Sequence, residues 1–440
     1  MTSSIKHLRR FVSSRATLTS ETHLQVWVIL CNKAGLKNGR VPKQRFHLTQ
    51  KLVGARCKLR GKVLMKICII SNSHPTNDVR LYYKLGHSLT QLGEVYIISS
   101  NGMVSNSVNP YQVVVDADSP IKALPQLYRE AKALKPDLLI CVEPLTMIVG
   151  ILLKRQMGCR LIFDVHEFFA DAHAERSLRI MRPLVKSIYL KLIRRLAARA
   201  HAVTAVNQEI LNQLLGKQAH SERCLVLPNY PVKNVWDYQC DIPGALAQLC
   251  EMSFDLIYIG GLTQDRGIFK ILKIASLLKA RNPRLSILIV GKFHNPEVEK
   301  EFNRCVNSFN LNAMIYYQEW IPAEKIGLLL KRSRFGLWLF NPRIKRMSLA
   351  TPLKVLEYLA AGLPVISIKT PLMKSLIEHN NLGILAPYRA RDIAQAIQNM
   401  LDLPEAEYLA LRKRCEDLAE SRFNWESLEP RFFELIRSIL

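Results

Sequence analysis

The sequence SLATPLKVLEYLAAGLPVIS, residues 348–367, decides the fold. Thr351 is suited to cap a helix and Pro352 to occupy its first position. Lys354 and Glu357 then lie three residues apart on one helical face. Leu353, Leu356, Leu359 and Ala360 supply a packing face. Gly362 stops the helix, and Pro364 opens a short apolar strand over Val365–Ile368. A capped helix start offers backbone N–H groups and a positive dipole end, and both attract phosphate. Lys354 adds a point charge there, and Glu357, one turn on, can accept hydrogen bonds from sugar hydroxyls. The plainer reading is a surface helix with a Lys–Glu pair.

Working outward, the same alternation of strand and helix runs from Met65 to residue 421. Strands are expected at 66–71, 94–99, 112–116, 137–142, 160–165, 202–206 and 223–227. A second series follows at 254–259, 285–290, 313–318, 335–340, 364–368 and 383–386. Helices are expected at 79–92, 122–134, 389–402 and 405–421. Short apolar runs separated by helices imply parallel, doubly wound α/β sheets. Binding residues then belong in loops after the carboxyl ends of strands. A linker at about 230–252, polar and turn-prone at Asp237–Pro243, divides the two series.

Several loops at strand ends carry candidate chemistry. Asn72-Ser-His-Pro-Thr-Asn-Asp-Val-Arg80 holds His74, Asp78 and Arg80; Asp78 can cap the next helix. Phe163-Asp-Val-His-Glu-Phe168 ends a strand in His166 and Glu167. Tyr258-Ile-Gly-Gly-Leu-Thr-Gln-Asp-Arg-Gly267 holds Gly260 and Gly261, which permit close backbone approach, and Arg266, which can reach a diphosphate. The first loop lacks GxGxxG, which argues against a dehydrogenase.

These segments resemble one family. PLKVLEYLAAGLPVIS is similar to the nucleotide-sugar site of glycosyltransferases of the GT-B fold, in the large retaining group called family 4. The resemblance covers about 65–440 and implies two doubly wound Rossmann-like domains facing a cleft. It implies transfer of a sugar from a nucleotide diphosphate sugar to an acceptor hydroxyl with retention, in cell-surface polysaccharide or glycolipid synthesis. The donor would be held by Gly260, Gly261, Arg266, Thr351, Pro352, Leu353, Lys354 and Glu357, with Glu357 on the ribose. His166, Arg266 and Lys354 would carry the chemistry. His74, Asp78, Arg80 and Glu167 would face the cleft or the acceptor. Many members have a further Glu eight residues before the ribose Glu; this chain has Leu349 there. The resemblance implies neither a metal nor a cofactor beyond the nucleotide sugar. Two other readings stand beside this one: a GT-B-like nucleotide-sugar epimerase, and a non-catalytic basic protein that binds membranes or nucleic acid.

The domains expected are a basic extension over 1–64, an acceptor domain over 65–235 and a nucleotide-sugar domain over 250–422. Residues 423–440, with Trp425, resemble the family's C-terminal helix that crosses back to the first domain. The net charge is +26, and half of that excess sits in 1–64, which holds fourteen Lys or Arg and one acid, Glu21. That segment reads as a disordered arm, a transit-like presequence, or sequence upstream of a true start at Met65. The last is favoured, because Met65-Lys-Ile-Cys-Ile-Ile-Ser71 is how this family usually begins.

Arg176–Arg199 carries eight basic residues and no acid, with Met181, Leu184, Val185, Ile188, Leu192 and Leu196 at helical spacing. A basic amphipathic helix of this kind lies on an anionic membrane surface, or packs a core with a solvated basic face. Membrane contact is the expectation, with a lipid-linked glycan or sugar as acceptor. Nucleic acid is not expected, since aromatics are few and no known module appears. No apolar run approaches the ~20 residues of a membrane span. The ten cysteines show no CxxC or metal-ligand spacing and read as reduced thiols. The protein is therefore placed in the cytoplasm, peripheral on the inner face of the membrane.

Overall fold

The computed structural model describes residues 64–102, 109–233, 244–319, 321–322, 325–344, 347–348 and 352–440. Residues 1–63 of the expected extension 1–64, Leu349 and the expected cap Thr351 lie outside these.

Among the described residues thirteen strands form two sheets, parallel throughout. The first holds β1 (Met65–Ser71), β2 (Gly93–Ser99), β3 (Tyr111–Val114), β4 (Leu138–Cys141), β5 (Arg160–Val165), β6 (Ala202–Ala205) and β7 (Cys224–Val226). The second holds β8 (Phe254–Ile259), β9 (Ile287–Val290), β10 (Ile315–Gln318), β11 (Ser333–Trp338), β12 (Val365–Ile368) and β13 (Gly383–Ala386). Every strand falls within two residues of its expected place. The reason is burial on both faces of the inner strands, which makes each of them a short, nearly unbroken apolar run.

The strand orders are β3-β2-β1-β4-β5-β6-β7 and β10-β9-β8-β11-β12-β13. Chain order reverses between β1 and β4 in one sheet and between β8 and β11 in the other. Connections leave in opposite directions at such a point, and a crevice opens outside the strand ends.

The period of two along each strand sorts its side chains between two cores. Cys68 and Ile70 of β1, Tyr96 and Ile98 of β2, and Leu139 and Cys141 of β4 enter one core. Ile67 and Ile69, Val95 and Ile97, and Leu138 and Ile140 enter the other. That second core is completed by Trp425, Phe432, Phe433, Leu435 and Ile436, so the C-terminal helix Glu429–Ile439 packs on the first sheet. The Trp425 indole N–H donates to Ser88 Oγ at 2.7 Å, and its backbone N–H donates to Pro231 O.

Two expected helices are wound differently. The helix expected at 79–92 is a π-helix over Val79–Gly86 that continues as α over His87–Leu89. The stretch 176–199 is not one helix: a 3₁₀ turn, Arg179–Met181, precedes the α-helix Arg182–Ala197. Pro183 explains the break, because it lacks the N–H that a continuing helix needs and fits only the first turn of a new one.

Candidate active site

The helix Leu353–Ala360 begins one residue later than expected. Pro352 is its N-cap residue, in extended conformation, and its carbonyl accepts the N–H groups of Val355 and Leu356. The packing face is also wider than the leucines suggested. Val355, Leu356, Glu357, Tyr358 and Leu359 are all buried. Tyr358 sets the position. Its ring lies against Gly336 of β11, where a Cβ would collide with it. Its hydroxyl oxygen accepts the Ile259 N–H of β8 at 2.9 Å and donates to Leu337 O of β11 at 3.3 Å. One side chain therefore pins the helix across the switch point of the second sheet.

Lys354 Nζ lies 2.7 Å from Glu357 Oε2, with side-chain exposures of 14% and 9%. The pair exists, but it is largely withdrawn from water and is no surface pair. A buried ion pair is a weak source of stability, since desolvation offsets the attraction. It does hold both groups in fixed positions.

On the other side of the switch point, β8 is followed by Gly260–Gly261. The Arg266 guanidinium lies beside this bare backbone: a Cβ on Gly260 or Gly261 would stand 3.6 or 3.7 Å from Nη1, in ordinary van der Waals contact. The Arg266 backbone N–H is held by Thr263 O and by Thr263 Oγ1 at 3.1 Å. Arg266 sits in this turn, two residues before the helix Ile268–Leu278. Gly267 has φ +77°, the left-handed conformation that relieves the turn before the helix starts.

The first sheet contributes the loops after β1, β4 and β5. His166 and Glu167 follow β5. Asp78 caps its helix through Oδ1, which accepts the N–H groups of Arg80 and Leu81 at 2.8 and 3.2 Å. His74 Nε2 lies 2.7 Å from His166 Nε2. Glu143, just past β4, accepts Ser71 Oγ, Ser73 Oγ and the Asn72 N–H, which ties the loop after β1 to the other side of the first switch point.

Arg80 does not face the cleft. It is buried, with Nε and Nη2 donating to the two oxygens of Asp164 at 2.7 and 2.8 Å and Nη2 also to Leu227 O. Its guanidinium lies 5.9 Å from the Trp425 ring. The planar fork matches a carboxylate, and a buried carboxylate two residues before His166 was within reach.

A cavity of about 200 Å³ is lined by His166, Glu167 and Asn207 from the first lobe and by Arg266, Trp338, Met347 and Pro352 from the second, among others. Two buried ring nitrogens there have no hydrogen-bond partner, His166 Nδ1 and Trp338 Nε1. Buried polar atoms are ordinarily satisfied, so this pair marks a place for a polar ligand.

Two family models match in succession: "Glycosyl transferase 4-like domain" over residues 104–230 and "Glycosyl transferases group 1" over 248–422, about two thirds of the chain between them. The chain belongs to the group 1 glycosyltransferases. Among curated relatives, Glucosyltransferase 3 of Streptococcus parasanguinis is 32% identical over 93 residues, 21% of this chain and 27% of that protein. UDP-glycosyltransferase TURAN of Arabidopsis thaliana is 29% identical over 103 residues, 23% of this chain and 21% of that protein. The matched segments thus span about a quarter of each relative. Sucrose-phosphate synthase from Thermosynechococcus elongatus superposes with a TM-score of 0.64 at 19% identity, covering 85% of this chain and 99% of that one. Anabaena HepE, solved in complex with UDP-glucose, gives 0.64 at 16%, covering 85% and 100%. These likenesses establish the GT-B fold, two parallel α/β sheets of the kind described above.

In this glycosyltransferase the cavity joins His166, Glu167, Arg266 and Pro352. His74 reaches it through His166, and Asp78 stands behind His74. Gly260, Gly261, Leu353, Lys354 and Glu357 lie on the two elements that flank the second switch point. Sequence reading missed Glu143, Tyr358 and Trp338. Glu143 and Trp338 owe their places to strand order: Glu143 follows β4, which neighbours β1 only in space, and Trp338 ends β11, which neighbours β8 only in space. No group of His, Cys, Asp or Glu able to hold a metal occurs among the described residues.

Proposed function

We propose that this enzyme moves a sugar from a nucleoside diphosphate sugar to an acceptor hydroxyl with retention at the anomeric carbon. The observation that carries the reading is the convergence of Arg266 and the Pro352 helix entry on one cavity with His166 and Glu167. Negative charge grows on the departing diphosphate. Arg266, Lys354 and the N–H groups at the start of Leu353–Ala360 are preplaced cations and dipoles, which stabilise that charge more in the transition state than in the ground state. Glu357 lies one turn inside the same helix. Lys354 occupies one carboxylate oxygen, and the carboxylate keeps acceptor capacity for ribose hydroxyls. No metal is needed in this scheme.

A panel of nucleoside diphosphate sugars, headed by UDP-sugars, tests the reading by release of free nucleoside diphosphate. Glu357→Gln is expected to weaken nucleoside diphosphate binding by ~1–3 kcal/mol, the range for hydrogen bonds to charged groups, with the fold intact. A solvated Lys–Glu pair would change stability by only a few tenths of a kcal/mol and leave affinity alone. Calorimetric titration separates the two, and equal affinities would remove Glu357 from the site.

The acceptor is presented at an anionic membrane surface, as a lipid-linked glycan or glycolipid on the cytoplasmic face. What supports this is the Arg179–Ala197 stretch. Ile193 and Leu196 pack inward, but Leu178, Ile180, Met181, Leu184, Ile188 and Leu192 are exposed, Ile180 to 86%. Exposed Arg179, Lys191 and Arg195 flank them. The apolar stripe is thus not spent on the core, and an apolar stripe with basic flanks fits the interface of an anionic bilayer. No helix among the described residues is long and apolar enough to cross a membrane. Replacing Arg179, Lys191 and Arg195 by Glu should abolish binding to phosphatidylcholine–phosphatidylglycerol vesicles, since each basic residue near such a surface contributes about 1 kcal/mol. Unchanged sedimentation with vesicles at physiological salt would refute the membrane contact.

A further inference from the structure

The loop after β1 brings a second imidazole against His166. The ring centroids are 4.5 Å apart and the planes meet at 76°, with the two Nε2 atoms 2.7 Å from each other. At that distance one nitrogen must carry a proton and the other a lone pair. The His74 ring is held from its other side: Nδ1 lies 3.5 Å from Asp78 Oδ2, and Asp78 is itself fixed as the cap of the next helix. Glu143 Oε1 lies 3.9 Å from His74 Nε2. The His74 backbone is tied down as well, its N–H donating to Ser71 Oγ at 2.8 Å and its carbonyl accepting Ser99 Oγ. His166 packs edge-on against Phe169 and lines the cavity, while its Nδ1 is buried without a partner.

Two arrangements satisfy this geometry. With His74 neutral, its Nδ1–H faces Asp78 and its Nε2 accepts the Nε2–H of His166. The Nδ1 of His166 is then a bare lone pair. With His74 protonated, its Nε2–H donates to His166 Nε2, and the Nδ1 of His166 must carry the proton. The state of one histidine therefore dictates whether the other accepts or donates at the cavity.

We propose that Asp78, His74 and His166 form a proton relay, in which His74 is the positioning residue that sets the tautomer of His166 and takes up the proton of the acceptor hydroxyl. This rests on the transfer reading above. The hydroxyl donates to His166 Nδ1 while His74 is neutral. As its oxygen bonds to the anomeric carbon, the diphosphate leaves with the electrons of the broken bond. The hydroxyl proton passes to His166 Nδ1, and the proton on His166 Nε2 passes to His74 Nε2. The positive charge comes to rest beside Asp78 and Glu143.

The surroundings favour that resting place. Burial pulls the His74 pKa down, but the hydrogen bond to Asp78 and the charges of Glu143, Asp78 and Glu167 outweigh it, and the net shift is upward. Burial holds His166 down to about 3, helped by His74 and Arg80 and opposed by Asp164 and Asp78. His166 thus passes the proton on without keeping it. Acidification charges His74 first, which turns His166 Nδ1 from acceptor to donor and blocks proton uptake.

Nitrogen-15 NMR of the full chain with labelled histidine, the His166 signals assigned with His166→Gln, reads the tautomer without substrate. At pH 8 His166 should carry its proton on Nε2. Below the titration of His74 it should carry it on Nδ1. His74→Phe should abolish that switch, lower kcat about 10²-fold, within the range for general acid–base catalysis, and remove the acidic limb of the kcat/KM profile while the donor KM stays. A His166 tautomer that is the same at all pH values, or that switches unchanged in His74→Phe, would overturn the relay. The pH series on the wild-type chain decides the question even where the variant does not fold. Because it needs no donor sugar, its failure is distinguishable from failure of the transfer reading.

Discussion

Arg266→Ala should lower turnover by about 10²-fold or more, and Lys354→Ala by a similar factor, as the loss of one preorganised stabiliser of developing charge does. Arg266 is seated by its backbone. The turn Thr263–Gly267 fixes its N–H, and its guanidinium lies beside the backbone of Gly260 and Gly261. Lys354 is held from the other flank by Glu357 at 2.7 Å. Neither cation needs to reorganise as the diphosphate departs, so their contribution belongs to the transition state. The loss should therefore appear in kcat as well as in kcat/KM; a change confined to KM would mean uniform binding of substrate and transition state. Steady-state kinetics with the preferred donor provides the measurement. Near-normal turnover in both variants would place the diphosphate elsewhere.

Asp164→Ala should destabilise the first lobe by about 3–5 kcal/mol, the cost of stranding one partner of a buried ion pair. Asp164 is fully buried and accepts Arg80 through both oxygens and Thr204 Oγ1 through one. Removing it leaves the Arg80 guanidinium buried with Leu227 O as its remaining hydrogen-bond acceptor. The double variant Arg80→Met/Asp164→Leu should recover most of the loss, because apolar residues of similar volume replace a buried pair well. Urea unfolding followed in the first lobe reads both. Burial pushes the Asp164 carboxyl pKa up, but Arg80, His166 and Thr204 outweigh it, so the folded pKa lies below the ordinary value. The sign follows: the pair's contribution is fully present above the ordinary carboxylate pKa and is lost as pH falls through the lower, folded one. Function should suffer with stability. The fork joins Arg80, two residues after Asp78, to Asp164, two residues before His166, and so ties together the two segments that carry the imidazoles. An Asp164→Ala protein of wild-type stability would contradict this account.

How much was legible varied with the reach of each interaction. The thirteen strands could be placed because each is a short apolar run whose burial is local in its cause. The Asp78 cap was legible too, since a capping carboxylate binds N–H groups two and three residues ahead. Helix boundaries were less so. The break before Arg182 came from Pro183, and the shift from Pro352 as first helical residue to Pro352 as cap turned on a single dihedral. The exposed stripe from Ile180 to Leu192 had the spacing of a core-facing helix. Only the packing of Ile193 and Leu196 inward showed which face the core had claimed.

By itself the sequence determined the fold class, the two series of strands, the helix that carries Lys354 and Glu357, and the family resemblance at 348–367. It could do so because periodicity, caps and turns act over a few residues. The tertiary structure decided that Arg80 is sequestered by Asp164, that Tyr358 pins the donor-side helix over Gly336, and that His74 meets His166. Those contacts link residues 84, 22 and 92 positions apart in the chain. Strand order brings the first and third pairs together, and the packing of a helix on the strand before it brings the second; strand order is set by which crossover packs best over each sheet, an energy summed over whole faces that no local stretch of sequence encodes.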